Sequence, residues 1–414
     1  MMLDKADLAQ EARTLDAGDR ISSICAHYEQ PKGWIFFDAN SVGPAPKTAR
    51  KAASDLMDDW VNLRRRGWAE RDWVDMPAIL GDRIAPMIGA GPGEVVVCDN
   101  TTVNLYKATG HALAVNKDRA TIVTQAENFP TDLHVLQGFE RFCDRPVEIR
   151  HVDTEEEAIA AMDDTVVLGS FSHVGYKSGI RWDMEKINAA AHEKGALVLW
   201  DVSHSAGAVP IDARGSNADY IVGCGYKYLS TGPGGPAYIY VRPDLAERAW
   251  PPMCGWMGHA DIYAFSGNYE PHTGIKRFIS GTPMVGANAI ARCAADIYEK
   301  YEPGDIWARH RSLSEFFVRA LETMCGKLGV EVTSPANYDR RGGHVSFRAP
   351  GAGRVVEALI DKKVVASFRK PDSIRFGISP TALTHQDIHE AVRRLHDILE
   401  TEIWRDPKYE NVSV

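Results

Sequence analysis

The sequence predicts a doubly wound α/β fold: a large domain built on a mixed, mostly parallel sheet, followed by a smaller α+β domain. Three observations lead there. Short apolar runs such as Ala196-Leu-Val-Leu-Trp200 recur between about residues 80 and 245, and such runs read as strands buried on both faces. Helical stretches alternate with them, which implies right-handed crossovers between parallel strands. Long amphipathic helices then enclose short strands over roughly 305–405. A chain of 414 residues is long enough for two cores.

The elements follow in order. Strands are expected at 94–98, 120–124, 166–170, 196–200, 220–224 and 237–241. After the first, Val103, Tyr106, Gly110 and Leu113 recur at helical spacing. A second helix is marked over 184–194. Asp183 can cap it, Ile187, Ala190 and Ala191 share one face, and Gly195 can end it. Residues 246–290, rich in Gly, Pro, Trp, Met and His, read as long loop. An Ala- and Ile-rich helix is expected over 286–301. The domain division is 46–300 for the large domain and 301–414 for the small one, with residues 1–45 completing the latter.

Composition narrows the function classes. Hydrophobic residues make up 44% and charged residues 25%, as in ordinary globular proteins. A net charge of −9 disfavours a nucleic-acid or anionic-membrane binder. Seven cysteines are scattered without a C-x-x-C, so neither a disulfide framework nor a metal site is expected, and a cytoplasmic location fits. The opening Met1-Met-Leu-Asp-Lys-Ala-Asp7 lacks a basic segment followed by an apolar one, so no secretory signal is expected. No apolar run reaches membrane-spanning length.

The chemistry starts with two strand ends. The run 196–200 delivers Asp201, and the run 220–224 delivers Lys227 into the glycine-rich turn Gly232-Pro-Gly-Gly235. A lysine can hold an aldehyde as a Schiff base. A carboxylate opposite can keep a pyridine nitrogen protonated. The pair therefore suits pyridoxal phosphate (PLP). Lys107, Lys177 and Lys276 compete for the role, but only Lys227 follows an apolar strand and precedes such a turn.

Other segments gain meaning beside that pair. Thr101 and Thr102 fall at a helix N-terminus, where N–H groups and the dipole favour a phosphate. Alone, the segment is better explained as a simple cap. Phe129 and Asp132 flank a proline turn and suit stacking on a flat ring and bonding its edge; alone, an ordinary Pro turn explains them. His204 suits a ring-edge contact or a satisfied core histidine. Tyr226 is placed to donate a proton or bind phosphate. Arg375 suits a bidentate carboxylate clamp, with a plain surface arginine as the alternative.

Ten motifs in order carry a resemblance. They are Asp38-Ala-Asn-Ser-Val-Gly43, Asn104-Leu-Tyr-Lys107, Phe129-Pro-Thr-Asp132, Ser172-His-Val-Gly-Tyr-Lys-Ser-Gly179, Trp200-Asp-Val-Ser-His-Ser-Ala-Gly-Ala-Val-Pro210, Gly223-Cys-Gly-Tyr-Lys-Tyr-Leu229, Gly255-Trp-Met-Gly-His259, Tyr269-Glu-Pro271, Ser280-Gly-Thr282 and Arg375-Phe-Gly377. Over about residues 30–405 the chain resembles the kynureninases, PLP-dependent hydrolases of fold type I in the class V aminotransferase-like superfamily.

The resemblance implies hydrolysis of L-kynurenine, or its 3-hydroxy form, to anthranilate and L-alanine in tryptophan catabolism. It implies Lys227 as the cofactor lysine, Asp201 on the pyridine nitrogen and Phe129 on the ring face, with Asp132 and His204 at the ring edge. Thr101, Thr102, Ser172 and Tyr226 would hold the cofactor, mainly its phosphate. Tyr226 is also the expected acid–base partner. Trp256 and Thr282 would reach in from a second subunit of a homodimer. Arg375, Asn40, Ser41 and Trp68 would bind substrate, and Trp68 with Thr282 points to kynurenine over its 3-hydroxy form. The alternatives are another class V enzyme (cysteine desulfurase, β-lyase or aminotransferase) or a kynureninase-like enzyme on a substituted aryl substrate. The chain departs from its relatives at Gly175, Gly225 and Ser230-Thr231, and the segment Leu63–Asp72 is unusually basic.

Overall fold

A computed structural model describes residues 5–410. The opening and closing residues, 1–4 and 411–414, which the sequence reading assigned to the small domain, lie outside the described residues. The large sheet has seven strands: β1 (Val95–Val97), β2 (Thr121–Gln125), β3 (Glu148–Val152), β4 (Val166–Ser172), β5 (Leu197–Asp201), β6 (Tyr220–Cys224) and β7 (Ala237–Val241). Their spatial order is β1-β7-β6-β5-β4-β2-β3. Strands β3, β2, β4, β5 and β6 pair in parallel; β7 is antiparallel to both β6 and β1. The reversal has a local cause. No helix separates β6 from β7, so the chain turns back through residues 225–236 instead of crossing over.

One strand escaped the sequence pattern. β3 reads Glu-Ile-Arg-His-Val and buries only Val152, because it is the sheet's edge and needs no apolar face on both sides. The helices formed near their expected places. Asn100 caps α2 (Thr101–Val115) by accepting from the Val103 N–H at 3.0 Å. α3 (Pro130–Phe142) starts with proline at its first position. Asp183 caps α4 (Met184–Glu193), and Gly195 follows with φ +72°.

A four-stranded antiparallel sheet lies later in the chain: β8 (Glu331–Val332), β9 (His344–Arg348), β10 (Ser367–Arg369) and β11 (Ser373–Gly377), in the order β8-β9-β11-β10. It shares an apolar cluster with helices at 303–325 and 352–361 and with α5 (His385–Glu400). Leu8 and Ala12, from α1 (Lys5–Gly18), belong to the same cluster, as do Ile35 and Phe37. Residues 35–36 pair with Val364–Val365, and the Gly377 N–H donates to the Phe37 carbonyl at 2.7 Å. The N-terminal segment thereby crosses from the small sheet toward the large one.

Candidate functional site

Six of the seven large-sheet strands point the same way, so their carboxyl ends share one edge, the usual ligand edge of such sheets. β6 ends at Cys224, three residues before Lys227. The Lys227 turn closes on itself: Ser230 N–H donates to the Lys227 carbonyl at 2.9 Å, and Thr231 N–H to the Gly225 carbonyl at 3.0 Å. Ser230 holds φ +59°, a strained conformation for a residue with a Cβ.

The lysine amine lies 3.0 Å from His204 Nε2, 5.8 Å from the Phe129 ring centre and 6.0 Å from that of Tyr226. Burial first, then the positive charge of Lys227, holds the His204 imidazole well below its usual range, so it is neutral and can accept from the amine. The rival lysines differ. Lys107 is sealed against Asp99 at 2.6 Å, Lys177 pairs with Glu127 at 3.6 Å, and Lys276 with Asp75 at 4.0 Å. Lys227 alone of the four meets no carboxylate within ion-pair range among the described residues.

Asp201 ends β5, in register with Ser172 at the end of β4. Its Oδ1 accepts from the Ser203 N–H at 2.7 Å. Asp132 is 1% exposed, and neither of its carboxylate oxygens has a hydrogen-bond partner. Burial raises both acids; the Asp201 charge raises Asp132 further, while Lys227 pulls each back. A sealed, unpartnered carboxyl is costly unless a ligand donates to it.

The anion-binding end is separate. Thr101 and Thr102 occupy the first turn of α2, and Thr102 Oγ1 lies 3.0 Å from Thr131 Oγ1 on α3. Two helix N-termini therefore meet, each with N–H groups that lack intrahelical partners. Ser172 is elsewhere. Its hydroxyl donates to Asn128 Oδ1 at 2.7 Å, beside Asp201, so its one proton is committed and it keeps only acceptor capacity. A phosphate needs donors. Its place beside Asp201 sets Ser172 toward that carboxylate, whereas the resemblance implied a cofactor contact mainly at the phosphate. Tyr226 is half-buried; burial first, then Cys224, pushes its hydroxyl up, so it stays protonated at neutral pH.

The N-terminal segment and the small sheet close the other side. Gly43 N–H donates to the Tyr226 carbonyl at 2.8 Å, and a Cβ on Gly43 would stand 2.1 Å from the Lys227 carbonyl oxygen. Asn40 is 1% exposed with both amide atoms unpartnered, while Ser41 is exposed. Arg375, on β11, is a buried residue and not a surface one. Its Nε donates to Ser367 Oγ at 3.1 Å and its Nη1 to the Tyr176 carbonyl. Burial first, then Arg369, pushes it down to about 10. The Tyr176 ring stands edge-on to Phe129 at 5.2 Å, linking the clamp to the lysine.

Three expected residues lie apart. Trp68 packs edge-on against Trp73 at 5.4 Å. Trp256 is 49% exposed and donates from Nε1 to the Ile262 carbonyl, and Thr282 is exposed. Among the described residues, no hydrogen bond or ring contact joins any of them to Lys227. Conversely, the structure adds His344, fully buried with both ring nitrogens unpartnered, its ring 5.6 Å from that of His204. A lone histidine after Gly342-Gly343 gives no sequence signal. Asn128 did carry one, since it stands inside the Glu127–Asp132 segment.

The departures at Gly225 and Thr231 are linked. A Cβ at 225 would lie 2.4 Å from Thr231 Oγ1 and 2.8 Å from the Pro236 carbonyl oxygen. The threonine side chain occupies the room a residue-225 side chain would need.

The chain as a whole is similar to known proteins. A family profile described as the kynureninase C-terminal domain matches residues 306–395. The kynureninase of Pseudomonas fluorescens is 36% identical over 401 residues, covering 96% of each chain. That of Burkholderia pseudomallei (strain 1106a) is 36% identical over 406 residues, covering 97% of each. Among solved structures, a C-DES variant with glycine covalently linked to its PLP cofactor superposes with a TM-score of 0.77 at 19% identity, over 88% of this chain and 97% of that one. A cysteine desulfurase from Thermococcus onnurineus NA1 gives 0.73 at 20% identity, over 89% and 95%. At such identities these structures speak to the fold, which is that of PLP-dependent fold type I enzymes.

Proposed function

The chain belongs to the kynureninase family, and from that we propose that it is a PLP-dependent hydrolase converting L-kynurenine and water to anthranilate and L-alanine. The observation that carries the reading is the Lys227 amine, 3.0 Å from a neutral His204 and beside the Phe129 ring, with Asp201 on the same sheet edge and Arg375 brought in from the small sheet. The residues fit the cofactor. The unpartnered Asp132 oxygens and His204 Nδ1 suit a polar ring edge, and Thr101 and Thr102 suit a phosphate.

PLP, when bound, supplies an electron-withdrawing ring that acidifies the amino acid's α-proton and carries electrons through Cβ–Cγ cleavage. The protein's own groups do the rest. Lys227 Nζ would hold the cofactor by its aldehyde group and, as a free amine, would take the substrate's α-proton. Asp201 would keep the pyridine nitrogen protonated through a charge-assisted bond. Phe129 would cover one ring face, and Asp132, His204 and Ser172 would line the edge. Tyr226, protonated at rest, is placed to give a proton first as water adds at the γ-carbonyl. Arg375 and Asn40, with Ser41 and Trp68, orient the substrate.

We further read the enzyme as a cytoplasmic homodimer of tryptophan catabolism. Trp256 and Thr282 are exposed and apart from Lys227 in their own chain, as donation across a dimer interface requires. No helix among the described residues is long and apolar enough to cross a membrane. We take the apolar cluster shared by the four-stranded sheet and its helices as the core of the small domain, 301–414 with 1–45. The test is to incubate the PLP-loaded protein with L-kynurenine and 3-hydroxy-L-kynurenine side by side. Equimolar anthranilate and alanine from the first are expected. Sulfide release from cysteine, or keto-acid release without anthranilate, would replace the reading with another class V reaction.

A further inference from the structure

We propose that Arg369 is a second carboxylate-binding residue, forming with Arg375 a paired guanidinium site that takes the substrate's α-carboxylate. The inference rests on the reaction proposed above and extends its substrate site.

Strand geometry places the two side by side. β10 and β11 pair antiparallel, with Ser367 opposite Arg375 and Arg369 opposite Ser373. Ser367 and Arg369 are two apart on one strand, so their side chains leave the same face. That is the face on which Ser367 Oγ accepts from Arg375 Nε. Arg369 is then the diagonal neighbour of Arg375, within reach of long side chains.

Hydrogen-bond use separates these arginines from structural ones. Arg309, buried like Arg375, bonds Asp19 at 2.6 Å and two backbone carbonyls. Arg341, buried without an acid, bonds Ser314 Oγ and the carbonyls of Pro335 and Ala336. Arg369 donates only to the Phe368 carbonyl of its own strand, and Arg375 only to Ser367 and Tyr176. A guanidinium carries five N–H donors. Among the described residues, neither arginine has a carboxylate within ion-pair range. The acids of the site, Asp201 and Asp132, stand instead toward Lys227. Two cations on one face, Arg375 buried and Arg369 half-buried, with donors to spare, suit an anion between them. The amino-acid carboxylate is the anion that every substrate of this site brings.

The experiment titrates the PLP-loaded enzyme with L-alanine and with L-alaninamide, which lacks the carboxylate, following the visible spectrum. Arg369→Gln should weaken L-alanine about tenfold, the loss of one charge-assisted bond, and leave L-alaninamide within about twofold. Arg369→Lys should fall between. The KM for substrate should rise while kcat holds. Unchanged L-alanine affinity in Arg369→Gln, or equal loss for both ligands, overturns the proposal. Arg369→Lys carries the test if the glutamine variant fails to load cofactor: L-alanine affinity equal to wild type would then overturn it. Wild-type enzyme that binds L-alanine through both arginines but leaves kynurenine intact would sink the proposed reaction and not this one.

Discussion

The Lys227 amine and His204 Nε2 lie 3.0 Å apart, and His204 has no partner on its other nitrogen. An amine held by a neutral imidazole is kept near the ring pocket without being tied up in an ion pair. Lys227→Ala should abolish the visible band of the lysine-bound cofactor and cut turnover at least about a thousandfold. An absorbance spectrum and an anthranilate assay check both. Retained turnover would remove Lys227 from the mechanism.

Gly43 is the narrowest contact around that lysine. A methyl group there would meet the Lys227 carbonyl oxygen at 2.1 Å, and backbone cannot rotate away as a side chain can. Gly43→Ala should therefore cost about 1–3 kcal/mol of stability and weaken cofactor loading. Urea unfolding and a PLP titration give the two readings.

Shared sites would show in mixtures. Refolding Lys227→Ala together with Trp256→Ala should generate heterodimers in which one site has both native residues. Each variant alone should be nearly inactive. The mixture should recover roughly a quarter of wild-type activity, the value expected if half the dimers are mixed and each holds one good site. No recovery would place Trp256 in its own subunit's site, and a Trp256→Ala variant active on its own would place it in none.

The N-terminal helix makes stability acid-sensitive. Asp16 accepts from the His385 N–H at 2.8 Å, from His385 Nδ1 at 2.8 Å and from Gln386, at the start of α5. Burial alone would raise Asp16; the bonds from His385 and Gln386 outweigh it and bring it down to about 2. A carboxyl depressed in the folded state stabilises above its unfolded pKa near 3.8 and loses that contribution as pH falls through about 2. Asp16→Ala should cost about 2 kcal/mol at pH 7. The gap in urea midpoint between variant and wild type should narrow as pH drops from 5 toward 2.5; a gap independent of pH would assign the loss to packing.

What could be read from the chain depended on whether a signal was local. Asp183, Gly195 and the apolar runs at 196–200 and 220–224 announced their elements because caps and buried strands are written in neighbouring residues. The edge strand Glu148–Val152 did not, since half of it faces solvent. Lys227 and Asp201 stood out as strand ends. Arg375 looked like a surface residue until the small sheet buried it, and His344 was invisible. Both depend on contacts with residues more than a hundred positions away, which no spacing rule records.

Gly225 and Thr231 have a consequence for how the cofactor loop can change. The threonine side chain, with the Pro236 carbonyl, fills the space that any side chain at 225 would claim, so Gly225 cannot gain one while Thr231 stays. The dependence runs one way: trimming Thr231 first opens room, whereas filling 225 first collides. The order of the two changes, and not only their identity, therefore decides whether the cofactor loop survives the exchange.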